Sequence, residues 1–405
     1  MFTRSEVEAA WETVLDHDRS TEIPDVIGWR DRYIAALRGE PVAPLPATAY
    51  LVPRRQRGSV RTIDVLDPAE HVRYVAAVAR VAGSIERRLQ PGVTAHRVAG
   101  APGLRLERWD RARSKHRVMV ARLLTGRRRA AAVADVRDCF SRLRQDTIVA
   151  ALRRLGAPRF HVAALRAVAA PSHDGTPGLP VGPHPSGVLA NAVLALADEA
   201  VASEGARHVR WVDDFTIVVR DATAASRVLH RLRAALAELG LESAPEKCRI
   251  AEGDDADRLI DLVAARWSGP SVSHRRAFPA YPEDPFAHLE ADRDALADPA
   301  IAHRIRAVAD RRWGSAEARL LGSIADDQAR SAPVRAWAWK ALARSDPGRC
   351  VERAAEVPGE GDPWVQRAVV AAAGLAGGAR ARGVLRALRV RVPQAAPTAA
   401  WGLER

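Results

Sequence analysis

Hydrophobic and polar positions follow two rhythms along this chain, and the change between them marks its parts. Residues 1–40 place apolar positions at helical spacing, in EVEAAWETVLD and DVIGWRDRYIAALRG, and predict one or two amphipathic helices. PVAPLPAT (41–48) is a Pro-rich connector, and YLVPRRQRGSVRTIDVLDP (50–68) holds two short β-like runs around a basic, Gly-containing turn. Helical spacing returns at 69–90 and at 108–125, the latter with arginines on one face. From residue 130 the texture changes. AAAVADVRDCF (130–140) is an apolar run that ends in acids, followed by a helix at 144–156, a Gly/Pro loop at 175–187 and a strongly helical run at 188–203. HVRWVDDFTIVVRD (208–221) reads as strand, tight turn at two acids, strand. An amphipathic helix follows at 222–239. Beyond a second Pro-rich stretch (268–288), residues 289–405 are Ala-rich and almost wholly helical. There SAPVRAWAWKALAR (331–344) and GDPWVQRAVVAAAGLAG (361–377) share a Pro and a following Val, at a spacing that suits helical-repeat units or an ordinary bundle.

Composition narrows the classes. The 405 residues are enough for a sizeable core, and 47% apolar with 27% charged residues excludes wholesale disorder. No run approaches the roughly 18 apolar residues of a membrane span, and the first residues lack the apolar stretch of a leader. Three cysteines, Cys139, Cys248 and Cys350, are too few and too scattered for a disulfide framework or a zinc cluster, so a reducing cytoplasm is expected. The net charge is +13, yet Lys115, Lys247 and Lys340 are the only lysines. The preference for arginine reads as genomic bias. The excess of positive charge points to a polyanionic partner, most simply nucleic acid.

Three acids stand at strand ends in apolar settings: Asp135 closes AAAVAD, and Asp213 and Asp214 form the hairpin tip. A two-residue Asp-Asp turn lacks the Gly or Asn that tight hairpins favour. Packed carboxylates repel unless a cation neutralises them. Mg²⁺ is bound by one or two carboxylates plus substrate phosphates. The alternative is a plain acidic turn.

These residues resemble a family. D-V-R-D-C-F (135–140) looks like motif A of reverse transcriptases, G-L-P-V-G-P-H-P-S-G-V-L-A-N (178–191) like motif B, W-V-D-D (211–214) like motif C, and L-G-L-E-S-A-P-E-K (239–247) like motif D, in the family's order and spacing. Upstream, VPRRQRGSVRTIDVLDPAEHVRYVAAV looks like the fingers segment and TAHRVAG (94–100) like the motif after it. The resemblance covers roughly 48–255 and is nearest the Abi-like and unknown-group bacterial reverse transcriptases linked to phage defence. It implies an α+β fold. After an N-terminal helical segment (1–45) come right-hand polymerase fingers and palm (46–265) with an antiparallel palm sheet, then an all-α thumb or HEAT-like region (285–405).

The resemblance further implies an RNA-directed DNA polymerase that adds dNTPs to a 3′-hydroxyl. Asp135, Asp213 and Asp214 would bind two Mg²⁺, with Mn²⁺ as a substitute. Phe140 falls at the steric gate that excludes a 2′-hydroxyl. Gly178, Pro180, Gly182 and Ser186 belong to the loop that meets template and nucleotide, with Ser186 and Asn191 either touching them or bracing the helix; Val181 departs from the common Gln. Lys247 would protonate the departing pyrophosphate, which arginine cannot do. Arg54, Arg55, Arg61 and Arg97 are candidate grips on the triphosphate, Arg61 the best matched. Trp211 would pack beneath the primer strand or in the core. Cys139 reads as packing, Asp138 as solvent-facing, and His71, His96, His116 and His184 lack metal-ligand spacing. The expected partners are an RNA template, DNA product and dNTPs, with a cognate non-coding RNA, a co-encoded protein or a second copy as further candidates, and no membrane. Three alternatives stand beside this reading. They are template-independent or protein-primed synthesis, with Tyr33, Tyr50, Tyr74 or Tyr281 as primer hydroxyls; a retron-type enzyme with its own RNA; and a palm fold that only binds RNA.

Overall fold

The structure, a computed structural model, describes residues 2–18, 48–53, 60–100, 103–123, 130–167, 175, 177–266, 312–330, 332–358, 361–392, 399 and 402–403. In chain order the elements are α1 (Arg4–Asp18), β1 (Thr48–Pro53), β2 (Val60–Val65), α2 (Pro68–Glu86), β3 (Val98–Gly100), β4 (Arg105–Leu106), α3 (Trp109–Ala121), β5 (Ala130–Asp135), α4 (Cys139–Arg142), α5 (Gln145–Arg154), α6 (Arg159–Ala167), α7 (His184–Ser203), β6 (Arg207–Trp211), β7 (Asp214–Val219), α8 (Ala222–Glu238), β8 (Arg249–Glu252), α9 (Asp254–Arg266), α10 (Ser315–Asp326), α11 (Ala332–Ser345), α12 (Pro347–Glu356), α13 (Pro363–Ala376) and α14 (Gly378–Arg391). They form two compact units: Met1–Thr13 with His71–Val272, and Val14–Glu70 with Ser273–Arg405.

The first unit is built on a four-stranded antiparallel sheet of order β6-β7-β5-β8. Its central strand β5, AAAVAD, owes its place to small buried side chains, which let helices come close on both faces. On one face Ala131, Val209 and Val218 meet Val120 of α3, Leu123 just beyond it, and Ala256, Ile260 and Val263 of α9. The alternate residues Ala130, Ala132, Ile217 and Val219 are buried as well, and α7 and α8 pack against the strands. The α+β class expected from the sequence is what the structure shows. Helix α7 starts at His184, earlier than its apolar run suggested. At 20 residues and a mean hydropathy of 1.2 it is long and apolar enough to cross a membrane, which corrects the expectation that no segment is; 78% of that stretch is buried inside the fold, as for a core helix. At the edge of this unit Arg80 of α2 donates to both carboxylate oxygens of Glu6 in α1, at 2.6 and 2.8 Å.

One group of polar residues inside this apolar shell is closely paired. Arg210 of β6 is wholly buried and clasps Asp198 of α7 bidentately, Nε to Oδ1 at 2.8 Å and Nη2 to Oδ2 at 2.6 Å. His208 meets the same carboxylate at 2.9 Å. The other guanidinium arm donates to Asn191 Oδ1 at 3.0 Å, and Asn191 Nδ2 donates to the carbonyl of Ala95 at 2.8 Å. Burial pushes the Asp198 carboxyl up, but Arg210 and His208 outweigh it and hold it below its ordinary value.

In the second unit β1 and β2 form an antiparallel hairpin that sets Val52 opposite Arg61. Helices α10 to α14 pack each on the next around Leu321, Trp337, Trp339, Val370 and Leu385. Local sequence starts two of them. Asp346 accepts from the amide of Arg349, and Asp362 from those of Trp364 and Val365, each acid followed by a proline suited to the first turn. Arg367 of α13 makes a buried ion pair with Asp67 at 2.5 Å.

Asp198→Ala leaves the Arg210 guanidinium buried without its counter-charge. We expect a loss of about 3–5 kcal/mol in unfolding free energy, read by urea denaturation; a loss within about 0.5 kcal/mol, typical of a surface change, would refute the account.

Candidate active site

The β6–β7 hairpin turns in two residues, Val212 and Asp213, because Trp211 pairs with Asp214. This corrects the expectation of an Asp-Asp turn: Asp214 is the first residue of β7. Val212 carries φ +56°, a left-handed backbone that a β-branched residue adopts only under constraint. The constraint is visible. Arg210 Nη1 donates to the Val212 carbonyl at 2.6 Å, and the amide of Val136 donates to the carbonyl of Asp213 at 3.2 Å. Two other non-glycine residues with positive φ, His96 (+50°) and Asp138 (+46°), lie in the segments that adjoin this turn.

Strand register does the rest. Asp135 is paired with Asp214, so both side chains leave the same face of the sheet, with Asp213 at the turn beside them. The loop before β8 runs along the end of β5, where the amide of Ala244 donates to the carbonyl of Asp135 at 2.8 Å. It carries a short 3₁₀ turn, Pro245–Lys247, that brings Lys247 Nζ to 2.7 Å from Asp135 Oδ1. The four residues predicted to be catalytic thus meet at one place.

The charges there are unbalanced. Desolvation in the cleft raises the Asp214 carboxyl to about 7, with the charges of Asp213 and Asp135 and a hydrogen bond to Asp135 adding to it and Lys247 opposing. The residue as a whole is exposed, so water screens part of that repulsion. Partial burial pulls the Lys247 ammonium down, but the Asp135 hydrogen bond and the three negative charges outweigh it and raise it. Among the described residues no three His, Cys, Asp or Glu side chains close into a metal cage. Three crowded acids with one lysine for neutralisation nevertheless fit a hard divalent cation that arrives with phosphate oxygens, because such an ion needs few protein ligands.

The surrounding residues divide into those at the cleft and those beneath it. Phe140 is half-buried against Ala95, Ala112, Trp211 and Val212. Gly178 lies so close to the motif A backbone that a Cβ there would stand 2.2 Å from the Ser141 carbonyl oxygen, and the next amide, Leu179, donates to the Phe140 carbonyl at 2.8 Å. Gly182 is exposed with φ +116°. Ser186, read as touching nucleotide or template or as bracing the helix, is completely buried and shares a 3.1 Å hydrogen bond with Tyr74, in keeping with the brace. Asn191 likewise braces the fold. Arg97, expected to grip phosphate, is turned inward: Nε donates to Glu86 at 2.7 Å and Nη1 to the carbonyls of Val93 and Gln90 at 2.8 and 3.1 Å. Arg61 lies in β2 of the other unit, and Arg54 and Arg55 lie outside the described residues. Burial and the charge of Asp213 hold the Cys139 thiol protonated, in keeping with a packing role.

Residues 98–287 match the family model described as reverse transcriptase (RNA-dependent DNA polymerase). That segment is similar to reverse transcriptase domains. The match indicates an RNA-directed DNA polymerase, a nucleotidyltransferase, and domains of this kind generally use divalent metal ions. The match contains Asp135, Asp213, Asp214 and Lys247. Among solved structures, apo telomerase from Candida tropicalis, truncated from its C-terminal domain, is 12% identical with a TM-score of 0.37, over 61% of this chain and 55% of that one. Telomerase from Candida albicans in complex with the TWJ fragment of telomeric RNA is 11% identical with a TM-score of 0.39, over 95% of this chain and 66% of that one. The chain thus spans less than two thirds of the length of both. No curated protein matches it.

Sequence reasoning did not find Arg210, Asp198 and His208. The available signal was two polar residues, Asn191 and Asp198, seven apart on one face of an otherwise apolar helix, which require a buried partner.

The raised Asp214 makes a pH prediction. Against an ordinary value of 3.8, the folded protein binds extra protons between about pH 4 and 7. Without divalent cation, melting temperature falls as pH rises through that window, more than in Asp214→Asn. A cation displaces the proton, so Mg²⁺ raises the melting temperature more at high pH than at low. A Mg²⁺ shift independent of pH would refute it.

Proposed function

We propose that this protein synthesises DNA on an RNA template by attack of a 3′-hydroxyl on the α-phosphate of a dNTP. The observation that carries the reading is the register that sets Asp135 and Asp214 side by side with Asp213 at the adjoining turn and Lys247 in contact. Asp135, Asp213 and Asp214 would hold two Mg²⁺ ions. When bound, such ions lower the pKa of the attacking hydroxyl and neutralise the leaving pyrophosphate. The protein's own residues orient the reactants. Phe140, at the mouth of motif A, would abut the sugar and reject a 2′-hydroxyl. Lys247, held as an ammonium by its neighbours, has a proton to give to the departing pyrophosphate; arginine in its place would keep the charge and lose the proton.

The antiphage role rests on the resemblance of the motifs to the Abi-like group. In this reading the protein works in the cytoplasm, and the excess of positive charge serves binding of template and product. The exposed position of Asp214 and the open loop at Gly182 suit a cleft that admits a nucleic-acid strand. Template-independent or protein-primed synthesis would use the same acids, and the choice rests on which primer is accepted.

The test is dNTP incorporation by the full chain. We expect Asp213→Ala to abolish it, and Lys247→Arg to lower kcat about 10²-fold, in the range of general acid catalysis, with KM for dNTP little changed. Wild-type protein no more active than Asp213→Ala on any template or primer would overturn the polymerase reading.

A further inference from the structure

Trp109, the first residue of α3, is 48% exposed, which is unusual for so large an apolar ring. It is not loose. Its ring meets Trp211 edge-on, with centroids 4.7 Å apart and planes at 80°. Trp211 is itself fixed, only 5% exposed and flanked by His116 at 5.3 Å. An exposed ring held at a set angle by a buried one is a pre-organised platform rather than a solvated side chain.

Its place relative to the acids follows from the sheet register. Trp211 on β6 is paired with Asp214 on β7, and Asp214 with Asp135 on β5, so all three side chains leave one face in a row. Lys247 reaches that row from the β8 side, by its contact with Asp135. The order across the face is Trp211, Asp214, Asp135, Lys247, with Trp109 resting against Trp211. Strand spacing and the ring contact put the Trp109 ring within roughly 10 Å of Asp214, at most about three stacked base steps. The surface around it is basic. Arg105, Arg108, Arg111, Lys115 and Arg117 are exposed on the approach to α3 and along it, against the acids Glu107 and Asp110. That charge suits a phosphate backbone beside a ring that suits a base.

We propose that Trp109 is a stacking platform for a nucleobase of the growing DNA strand, a few nucleotides back from its 3′ end. The choice of strand rests on the polymerase reading above: if Lys247 marks the pyrophosphate side of the acids, the opposite side of the row receives the strand that bears the 3′-hydroxyl. Trp211, read from sequence as packing under the primer or in the core, is too buried to stack on a base, and passes that contact outward to Trp109.

The test measures binding of short DNA strands to the full chain, with an abasic position stepped back from the 3′ end. It is run in the Asp213→Ala background, so binding is read without turnover. Stacking on one aromatic ring predicts that Trp109→Ala weakens binding about tenfold and Trp109→Phe restores most of it. It also predicts that one abasic position weakens binding to the parent protein and has no effect on Trp109→Ala. In otherwise wild-type protein, Trp109→Ala raises KM for the primer strand and leaves KM for dNTP unchanged. Unchanged binding by Trp109→Ala would overturn the proposal. So would an equal loss in Trp109→Phe, a loss with no abasic dependence, or an abasic effect confined to RNA strands. Failure of the polymerase reading shows separately, as wild-type protein that incorporates nothing.

Discussion

The geometry of the acid cluster depends on one guanidinium. Arg210 is completely buried, so it must satisfy its donors within the fold, and it does so on Asp198, Asn191 and the carbonyl of Val212. The last of these contacts holds the residue before Asp213 in a backbone conformation that valine resists. The helix that supplies Asp198 and Asn191 also supplies, at its N-terminus, the loop of motif B. One ion pair therefore links the turn that carries Asp213 to the helix that borders the nucleotide side. A buried pair adds little net stability over an apolar one, and its use here is to fix an arrangement.

A second constraint is close approach. Gly178 admits no side chain against the carbonyls of Phe140 and Ser141, and Gly187 admits none against the ring of His96, where a Cβ would lie 2.3 Å from the nearest ring atom. Both glycines lie in the stretch resembling motif B, and both press it onto segments near the acids. Glycine serves there for contact distance rather than for turning the chain.

How much of this was legible in the sequence varies with the kind of residue. The acids and Lys247 were legible because their chemistry is costly outside a site: apolar strands ending in carboxylates, and a lysine in a chain that otherwise uses arginine. The α+β class came with the resemblance of the motifs, and the change of texture at residue 130 agrees with it. The hairpin was legible but its turn was misplaced by one residue, since valine is a poor choice for a left-handed position and only the Arg210 contact explains it. Ser186 and Arg97 belong to the right segments, but burial is a tertiary property: a motif fixes the neighbourhood of a side chain and leaves open which way it points. Arg97 found Glu86, and Ser186 found Tyr74, through contacts that no local pattern encodes.

The chemistry of the supporting pair separates it from the cluster in front. A guanidinium keeps its proton at any working pH, and Asp198, paired to it, is held below the ordinary carboxylate value. The foundation of the turn is thus electrically constant while Asp214, which it presents, changes charge near neutral pH. Acid or base can change what the cluster binds without loosening the frame that aims it.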